Sequence, residues 1–363
     1  MTENRGFRRG AVDFIVKAAP PKLELETPLG LVRIGPYELG DESSILELFR
    51  EVFKVERSLD QWNWEFRDHP VGHHIFVGRL PDGKVVSQFT GLPVRAKVFE
   101  RTTLFSQIVD SMVHPRCRGG LKKQGLFKLT LLAYCYHFGR EDRELVQMGL
   151  PNPLAYRLGS QTCYYVPLTK CYAHMKELSE GEPVGDPEPE VKSQGETYRI
   201  DLLDRFPDDH DELWEKVKAR HEIICYRDAT YMNWRYVKNP HWDYRIVEVR
   251  SQDGGLRGLA VLRSWWLAQP DLVIAEWLVD DESPGAATAL IKVAEHFARK
   301  DGMKRVLCVL NHNADESRVF EDQNYNLWQT QFRLVAHSYE PHIINEAQIG
   351  RHWYYTVGDF DVV

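Results

Sequence analysis

The sequence predicts an α/β (α+β) protein built from two tandem domains. Strand patterns and helix patterns follow one another along most of the chain. Residues 179–196 are acidic, rich in proline and glycine, and almost free of large apolar groups, as is typical of a linker. The second half of the chain repeats features of the first at offsets of 166–170 residues. A period of that length indicates duplication of a whole domain.

These observations divide the chain into four parts. Residues 1–30 are expected to form an N-terminal extension, and 31–178 the first domain. The linker 179–196 leads to a second domain with a C-terminal tail over 197–363.

The elements of the first domain are predicted from periodicity and from turn residues. Acidic residues in the first turn support a helix over 44–53, and a second helix ends before His69-Pro70. The predicted elements, in order, are strand 31–37, helices 44–53 and 59–67, strands 74–79, 85–98 and 108–113, a helix from about 124, strand 144–149, a short helix to Gly159, and strand 163–172.

Three features carry the repeat, one of which is the turn Asp82–Lys84 and its counterpart Asp253–Gly255. The segment Trp64–Pro70 matches Trp234–Pro240, because each has an aromatic residue two positions after tryptophan and ends in proline. The strand end Asp110–Val113 matches Glu276–Val279. The residues after these strand ends differ, since Asp280–Glu282 places three acids where the first half has cations. The second domain is therefore expected to have kept the fold and lost any anion site.

The stretch after strand 108–113 predicts a site for a phosphate-bearing ligand. A proline ends the strand, a loop with glycines and four cations follows, and a helix begins near Gln124. Glycines allow backbone amides to converge on an anion, and a helix N-terminus adds unpaired N–H groups. The loop matches neither the Walker nor the dinucleotide fingerprint. A pyrophosphate would suit such a cradle, and the alternative is a solvated basic turn.

This stretch resembles the acyl-CoA-binding motif of the GNAT acyltransferase superfamily, in which a basic residue and glycines follow a strand. The best register places Lys122 at the basic position, Gly125 at the first glycine and Phe127 where a small residue is usual. A second register begins at Arg118. The resemblance, to tandem two-domain members found in bacteria, implies that each domain is a mixed, mostly antiparallel sheet flanked by helices.

The resemblance also implies a cofactor, acetyl-CoA or another acyl-CoA, and the residues that would bind it. Backbone amides of the strand end would polarise the thioester carbonyl, and the loop and helix start would hold the pyrophosphate. The residues at the matching positions are Met112, Val113, Arg118, Gly119, Gly120, Lys122, Lys123, Gln124, Gly125, Leu126, Phe127 and Asn152.

Two residues match the positions of catalytic groups. Asp110 would be the general base for the amine, or alternatively a carboxylate hydrogen-bonded structurally in the sheet. Tyr156 would protonate the leaving thiolate, although the family's tyrosine usually comes later in the chain. The alternative for this segment is that Asn152 caps a helix and Tyr156 packs against the protein.

Four residues are expected to bind the acceptor. The second helix flanks the acceptor in this superfamily, which selects Trp62 and Arg67, and the alternative for the tryptophan is burial in the core. The terminal carboxylates Asp359 and Asp361 would hold a cationic amine if the C-terminus reached the first domain's site, as it does in N-myristoyltransferases. A solvated acidic tail is the alternative.

Composition excludes several other classes of protein. The net charge of -7 argues against broad affinity for nucleic acid. The chain has no apolar stretch long enough to span a bilayer and no convincing signal peptide. Six cysteines without zinc-type spacing predict neither a metal site nor disulfides. We therefore expect a cytoplasmic protein, either a monomer or a homodimer.

The resulting hypothesis is an acyltransferase that moves an acetyl or acyl group from acyl-CoA to an amine of a small molecule, such as an amino sugar or metabolite. Two alternatives remain open. One is an aminoacyl-tRNA-dependent transferase of the same duplicated fold. The other is a non-catalytic protein that binds a ligand or partner with a decayed site.

Overall fold

A computed structural model describes residues 21–118, 125–162, 165–179 and 185–361 of the chain. Its α-helices are α1 (Glu42–Phe53), α2 (Leu59–Trp62), α3 (Leu126–Phe138), α4 (Pro153–Thr162), α5 (His210–Arg220), α6 (Ala229–Met232), α7 (Pro284–Lys300), α8 (Ser317–Asp322) and α9 (Glu346–His352). Two π-helical turns, Asn63–Arg67 and Asn233–Val237, extend α2 and α6. Short 3₁₀ turns are formed by Pro115–Cys117, Trp266–Ala268 and Val357–Asp359.

The strands of the described chain are β1 (Glu24–Thr27), β2 (Gly30–Pro36), β3 (His74–Arg79), β4 (Val85–Val98), β5 (Arg101–Val113), β6 (Val146–Gly149), β7 (Val166–Glu177), β8 (Glu190–Ser193), β9 (Glu196–Leu203), β10 (Ile223–Cys225), β11 (Arg245–Arg250), β12 (Leu256–Ser264), β13 (Asp271–Val279), β14 (Arg305–Val309), β15 (Asn326–Ser338) and β16 (Trp353–Tyr354).

The chain forms two compact units. The first contains residues up to Val94, Thr103–Val166 and Val335–Glu346. Its sheet has the strand order β1-β2-β3-β4-β5-β6, and the end of β15 pairs antiparallel with β6. Strands β5 and β6 are parallel, whereas β1, β2, β3 and β4 pair antiparallel.

The second unit contains Arg95–Thr102, Pro167–Leu334 and Ala347–Val363. Its strand order is β7-β14-β13-β12-β11-β9-β8. Strands β13 and β14 are parallel, and the other pairs along this order are antiparallel. The C-terminal strand β16 pairs in parallel with β10.

Apolar faces of the first unit's sheet are covered by helices on both sides. The α3 core packs α3 against one face and includes Phe89, Leu129 and Tyr134. The α1 core packs α1 and α2 against the other face and includes Leu48 and Trp62. Burial of this apolar area on both faces is the main stabilising contribution to such a layered unit.

The order of elements repeats between the halves of the chain. The series β2, α1, α2, β3, β4, β5, α3, β6, α4 and β7 corresponds to β9, α5, α6, β11, β12, β13, α7, β14, α8 and β15. Even the π-helical turns recur, after N-caps in which Ser58 and Asp228 accept hydrogen bonds from the backbone three residues on. The predicted fold class, two tandem α/β units with mixed and mainly antiparallel sheets, is confirmed.

The compact units differ from the ranges predicted from sequence. Strand β7 follows α4 in the chain but belongs to the second unit, where it pairs with β14. The last four residues of β15, Val335–Ser338, belong to the first unit. The boundaries differ because hydrogen bonds join strands that lie far apart in sequence. The assignment of a functional role to each half stays a proposal.

Part of the stretch predicted as linker is a β-hairpin. Glu190–Ser193 forms β8 and pairs with β9, with Ser193 opposite Glu196. The connecting residues Gln194 and Gly195 both have positive φ, 50° and 86°. Two such residues form the turn that matches strand twist, which explains why a polar segment ends in a strand.

We expect a fragment that ends at residue 178 to fail to fold cooperatively. It lacks Val335–Ser338, so β6 would lose four residue pairs on one edge and expose unpaired backbone groups. Urea unfolding followed by circular dichroism should show a broad transition for the fragment and a steep one for the full chain. A steep transition for the fragment would contradict the division into units.

Stability is expected to depend on the protonation of His174 in β7. This side chain is fully buried, and neither ring nitrogen has a hydrogen-bond partner among the residues that the structure describes. Burial lowers its pKa from the ordinary 6.5 to about 4. The unfolded chain therefore binds a proton at a higher pH than the folded chain, and stability falls as the pH drops from 6.5 to 4.

The loss attributable to this one residue is about 3 kcal/mol. His174→Leu should reduce the decline in the free energy of unfolding between these pH values, measured by urea denaturation. His342→Leu, which changes an exposed histidine, serves as the control. Equal pH profiles for the His174 variant and the wild type would refute this assignment.

Candidate functional site

The strands β5 and β6 separate part way along the first unit. Their parallel pairing runs from Phe105 opposite Val146 to Gln107 opposite Met148. Beyond these residues β5 continues to Val113, whereas β6 ends at Gly149. We call the space between the two strand ends the first notch. It has one strand edge along which an extended ligand can lie.

A β-bulge in β5 stands beside the first notch. Asp110 has φ 46°, in the left-handed region that non-glycine residues seldom adopt. Ile108 and Val113 both pack in the α3 core, whereas Val109 and Met112 pack in the α1 core. Regular alternation would place Ile108 and Val113 on opposite faces, so one extra residue lies between them. The bulge therefore redirects the strand where it leaves β6.

Arg57 connects this bulge to the start of α2. Its guanidinium forms a bidentate ion pair with Asp110, in which Nη2 donates to Oδ1 at 3.2 Å. Its Nη1 also lies 3.3 Å from Oε2 of Glu65, and its guanidinium stacks on Phe49 at 4.0 Å. The three charged side chains are only 8–11% exposed. Asp110, predicted as a general base, thus has a buried cation as its partner, which supports the structural alternative.

The second unit contains the same ion pair at the corresponding positions. Arg227 precedes α6 as Arg57 precedes α2, and its Nε donates to Glu276 at 2.8 Å. Glu276 lies on β13 next to a register shift in the pairing with β12. A second carboxylate, Asp359, accepts from Nη2 at 2.7 Å. The pair is therefore a feature of both copies.

The C-terminal segment 353–360 occupies the notch of the second unit. Strands β13 and β14 pair in parallel only up to Ile274 opposite Cys308. Beyond that point Leu310 bridges Thr356, and the amide of Asn311 donates to the carbonyl of Tyr355 at 3.2 Å. The chain itself thus supplies the strand that fills this space.

Gly358 shows how closely this segment contacts the strand. A Cβ at this position would lie 2.7 Å from the carbonyl oxygen of Ala275 and 2.2 Å from the hydroxyl of Tyr236. Only a residue without a side chain fits there. The contact leaves no space for a ligand at that point of β13.

The terminal carboxylates predicted to bind the acceptor lie in the second unit. Asp359 is buried, pairs with Arg227 and accepts from the amide of Thr356 at 3.0 Å. Burial raises its pKa to about 6, against the opposing effect of Arg227. Asp361 is exposed and interacts electrostatically with Arg235. These partners give Asp359 a structural role and replace the solvated tail of the alternative prediction.

The pair predicted to flank the acceptor, Trp62 and Arg67, lies on the α1 side of the first unit. Trp62 is only 1% exposed and packs on Tyr37 and Phe66, with ring centroids 5.6 Å and 5.4 Å apart. Arg67 donates to Glu42 at 2.7 Å. Glu42 also accepts from Tyr37, whose pKa is raised to about 12 by burial and by this carboxylate. Trp62 is therefore a core residue.

The α3 N-terminus lies at the end of the predicted phosphate loop. Gly125 is its N-cap and receives no side-chain cap, and the first backbone bond of the helix is made by the amide of Leu129. Among the described residues no hydrogen bond is made by the amides of Leu126 and Phe127, so these amides could bind an anion. Arg118 donates through Nε to the carbonyl of Val113 at 3.2 Å. The other predicted loop residues, Gly119, Gly120, Lys122, Lys123 and Gln124, lie outside the described residues.

Asn152 and Tyr156 lie at the start of α4. The side chain of Asn152 accepts from the amide of Ala155 at 2.9 Å, and its carbonyl accepts from the amide of Tyr156. Tyr156 is half-buried and packs at the edge of the α3 core. The helix-capping alternative for Asn152 is thus observed. Its contact with a pantetheine chain stays a prediction.

Arg57 and Glu65 were missed by the sequence analysis. A signal existed, since Arg57 and Arg227 are separated by the same offset of 170 residues as Trp64 and Trp234.

Among the residues that the structure describes, no group of histidines, cysteines and carboxylates could hold a metal ion. No helix in the described ranges has the length and apolar character required to cross a membrane.

Residues 33–157 match the family model described as the acetyltransferase (GNAT) domain. These residues include β5, the first notch, the loop and the start of α4. The match confirms the resemblance predicted from the loop. No curated protein sequence matches the chain.

Solved structures share the fold of nearly the whole chain. A protein from Enterococcus faecalis V583, described as a probable N-acyltransferase, has 13% identity and a TM-score of 0.60, with 86% of this chain and 74% of that chain covered. N-myristoyltransferase from Saccharomyces cerevisiae with bound myristoyl-CoA has 14% identity and a TM-score of 0.52, with 87% and 83% covered. At this identity the likeness concerns the fold.

We expect Arg57→Met to lower the free energy of unfolding by about 3–5 kcal/mol, because it leaves two buried carboxylates without their cation. The matched control is Arg33→Met, which removes an ion pair with Glu24 whose partners are 76% and 52% exposed. That change should cost less than about 1 kcal/mol. Urea denaturation of both variants measures the difference, and similar losses would contradict the structural role of Arg57.

Proposed function

We propose that this chain, whose residues 33–157 belong to the GNAT acyltransferase superfamily, transfers an acyl group from acyl-CoA to an amine of a small molecule. The observation that carries this proposal is the first notch, where β5 leaves β6 at a bulge, together with the N-terminus of α3, the next helix in the chain, whose N-cap Gly125 has no capping side chain. A thioester attached to a phosphorylated carrier would fit these two features, with the thioester at the first notch and the phosphates at the helix N-terminus.

The chain's own residues would bind each part of acyl-CoA. The amides of Gly125, Leu126 and Phe127 would hold the pyrophosphate, with added charge from the loop lysines and Arg118. The pantetheine arm would lie along the free edge of β5 near Asn152. Acyl-CoA supplies an activated carbonyl, and the amides of Met112 and Val113 would stabilise the oxyanion that develops on it.

In the proposed reaction the neutral amine attacks the thioester carbonyl, the tetrahedral adduct collapses with loss of the CoA thiolate, and the nitrogen releases its extra proton to water. Tyr156 would protonate that thiolate and then regain a proton from water. Asp110, which faces Arg57, is better suited to fixing the bulge than to accepting a proton. The acceptor is proposed to be an amino sugar or another metabolite with an amine.

The family match supports an acyltransferase, and the yeast structure with bound myristoyl-CoA supports acyl-CoA as the donor. We propose acetyl-CoA or another acyl-CoA as cosubstrate. We also propose a cytoplasmic location, since the described cysteines are free and buried.

Isothermal titration with acetyl-CoA and with free CoA tests the donor site. We expect one binding site per chain, because the second unit's notch is filled by residues 353–360. The double variant Lys122→Ala/Lys123→Ala should weaken binding by about tenfold or more, since each lysine adds charge to the phosphate site.

Lys238→Ala/Lys304→Ala, which removes two exposed lysines of the second unit, should bind like the wild type. Absence of binding by the wild type to either ligand would refute the proposed function. Two sites per chain would refute the assignment of a single functional notch.

A further inference from the structure

The two copies of the fold can be compared residue by residue at their notches. Both keep an arginine before the short helix and a carboxylate on the bulged strand, namely Arg57 with Asp110 and Arg227 with Glu276. Since the second notch is filled by the chain itself, the features that both copies share are required by the fold. Residues that differ between the copies are the candidates for a role in ligand binding.

The charge is reversed at one position of the short helix. Glu65 follows Trp64 in the first copy, and Arg235 follows Trp234 in the second. Both are on the π-helical turn, and both side chains are largely buried. A carboxylate has therefore been exchanged for a guanidinium in an otherwise equivalent place.

In the second copy this position contacts the occupant of the notch. Arg235 donates to the carbonyl of Phe360 and, through Nε at 3.4 Å, to the carbonyl of Gly358. The occupant therefore presents hydrogen-bond acceptors to position 235. The same helix position in the first copy is expected to face whatever lies at the first notch.

In the first copy the same position carries a hydrogen-bond acceptor, the carboxylate of Glu65. Glu65 lies 3.3 Å from the Arg57 nitrogen that also contacts Asp110, so its carboxylate stands beside the bulge. Gln88, on the neighbouring strand, donates through Nε2 to the carbonyl of Asp110 at 3.3 Å. Its Oε1 is buried and has no donor among the residues that the structure describes. Two hydrogen-bond acceptors, the carboxylate of Glu65 and Oε1 of Gln88, thus stand next to Asp110. They complement a bound molecule that donates hydrogen bonds.

We propose that Glu65 binds the amine of the acceptor and selects acceptors whose amine is not accompanied by a carboxylate. This inference rests on the proposed function and specifies its substrate class. Glu65 holds the ammonium form during binding, and Gln88 accepts a second N–H. The ammonium then releases one proton to water, which gives the neutral amine that attacks the thioester. Arg57 and Asp110 position Glu65 by holding the bulge and the π-helical turn together.

The test measures acetylation of two probe amines, cadaverine and glycine, by release of the CoA thiol from acetyl-CoA. We expect the wild type to favour cadaverine, which carries only positive charge. Glu65→Gln should raise the KM for cadaverine by about tenfold or more, with the affinity for acetyl-CoA unchanged, since it removes a charged hydrogen bond to the acceptor alone. Glu65→Arg should shift the preference toward glycine, whose carboxylate the guanidinium can bind.

Asp60→Asn, which changes an exposed carboxylate on α2, is the matched control and should leave both KM values unchanged. Titration of acetyl-CoA into each variant separates the two proposals. If the wild type binds acetyl-CoA but neither amine is acetylated, or if Glu65→Gln acts on cadaverine with the wild-type KM, the role of Glu65 is overturned and the acyl-CoA site stands. If the wild type does not bind acetyl-CoA, the proposed function fails, and this inference fails with it.

Discussion

The buried ion pair between Arg57 and Asp110 is the constraint on which the candidate site depends. Removing two charges from water is costly unless their geometry is held, so the pair fixes the start of α2 against β5. Asp110 also has a strained positive φ, and such a conformation persists only where neighbouring contacts determine it. The bulge cannot move along the strand without breaking this pair. The point at which β5 leaves β6 is set in the same way.

Comparison of the two copies distinguishes residues that the fold requires from candidates for ligand binding. Arg227 and Glu276 repeat the ion pair in a unit whose notch is filled by the C-terminal segment, so the pair does not by itself imply catalysis. Asp280–Glu282 follows β13 in the second unit, and two of these acids pair with cations there, Asp280 with Lys216 at 2.8 Å and Asp281 with Arg220 at 3.2 Å. The occupied strand edge of the second copy is therefore the reason for proposing a single acyl-CoA site, in the first copy.

Local patterns predicted most of the fold, and non-local contacts account for the parts they missed. Periodicity and turn residues predicted α1, β3 and β4, and the loop after β5 predicted the family. Periodicity gives no information on partners distant in sequence, which is why the exchange of β7 and the end of β15 between units was not foreseen. The resemblance to N-myristoyltransferases places Asp359 at the acceptor site, whereas in the structure it pairs with Arg227, a residue 132 positions away that no local pattern indicates. Trp62 is expected near the acceptor from its place on the second helix, but its side chain is buried in the α1 core.

The acceptor side of the candidate site is formed by the residues beside the bulge. The proposed donor side would use backbone amides and a helix terminus, which many side chains can accompany, so a loose sequence signature with Phe127 in place of a small residue is compatible with it. Specificity for an amine requires a charged group at one place beside the bulge, and a single buried carboxylate suffices. Glu65 occupies that place, and its counterpart Arg235 binds carbonyl groups from the equivalent position. One substitution in a duplicated helix can therefore decide whether a notch accepts an amine or is closed by the chain's own backbone.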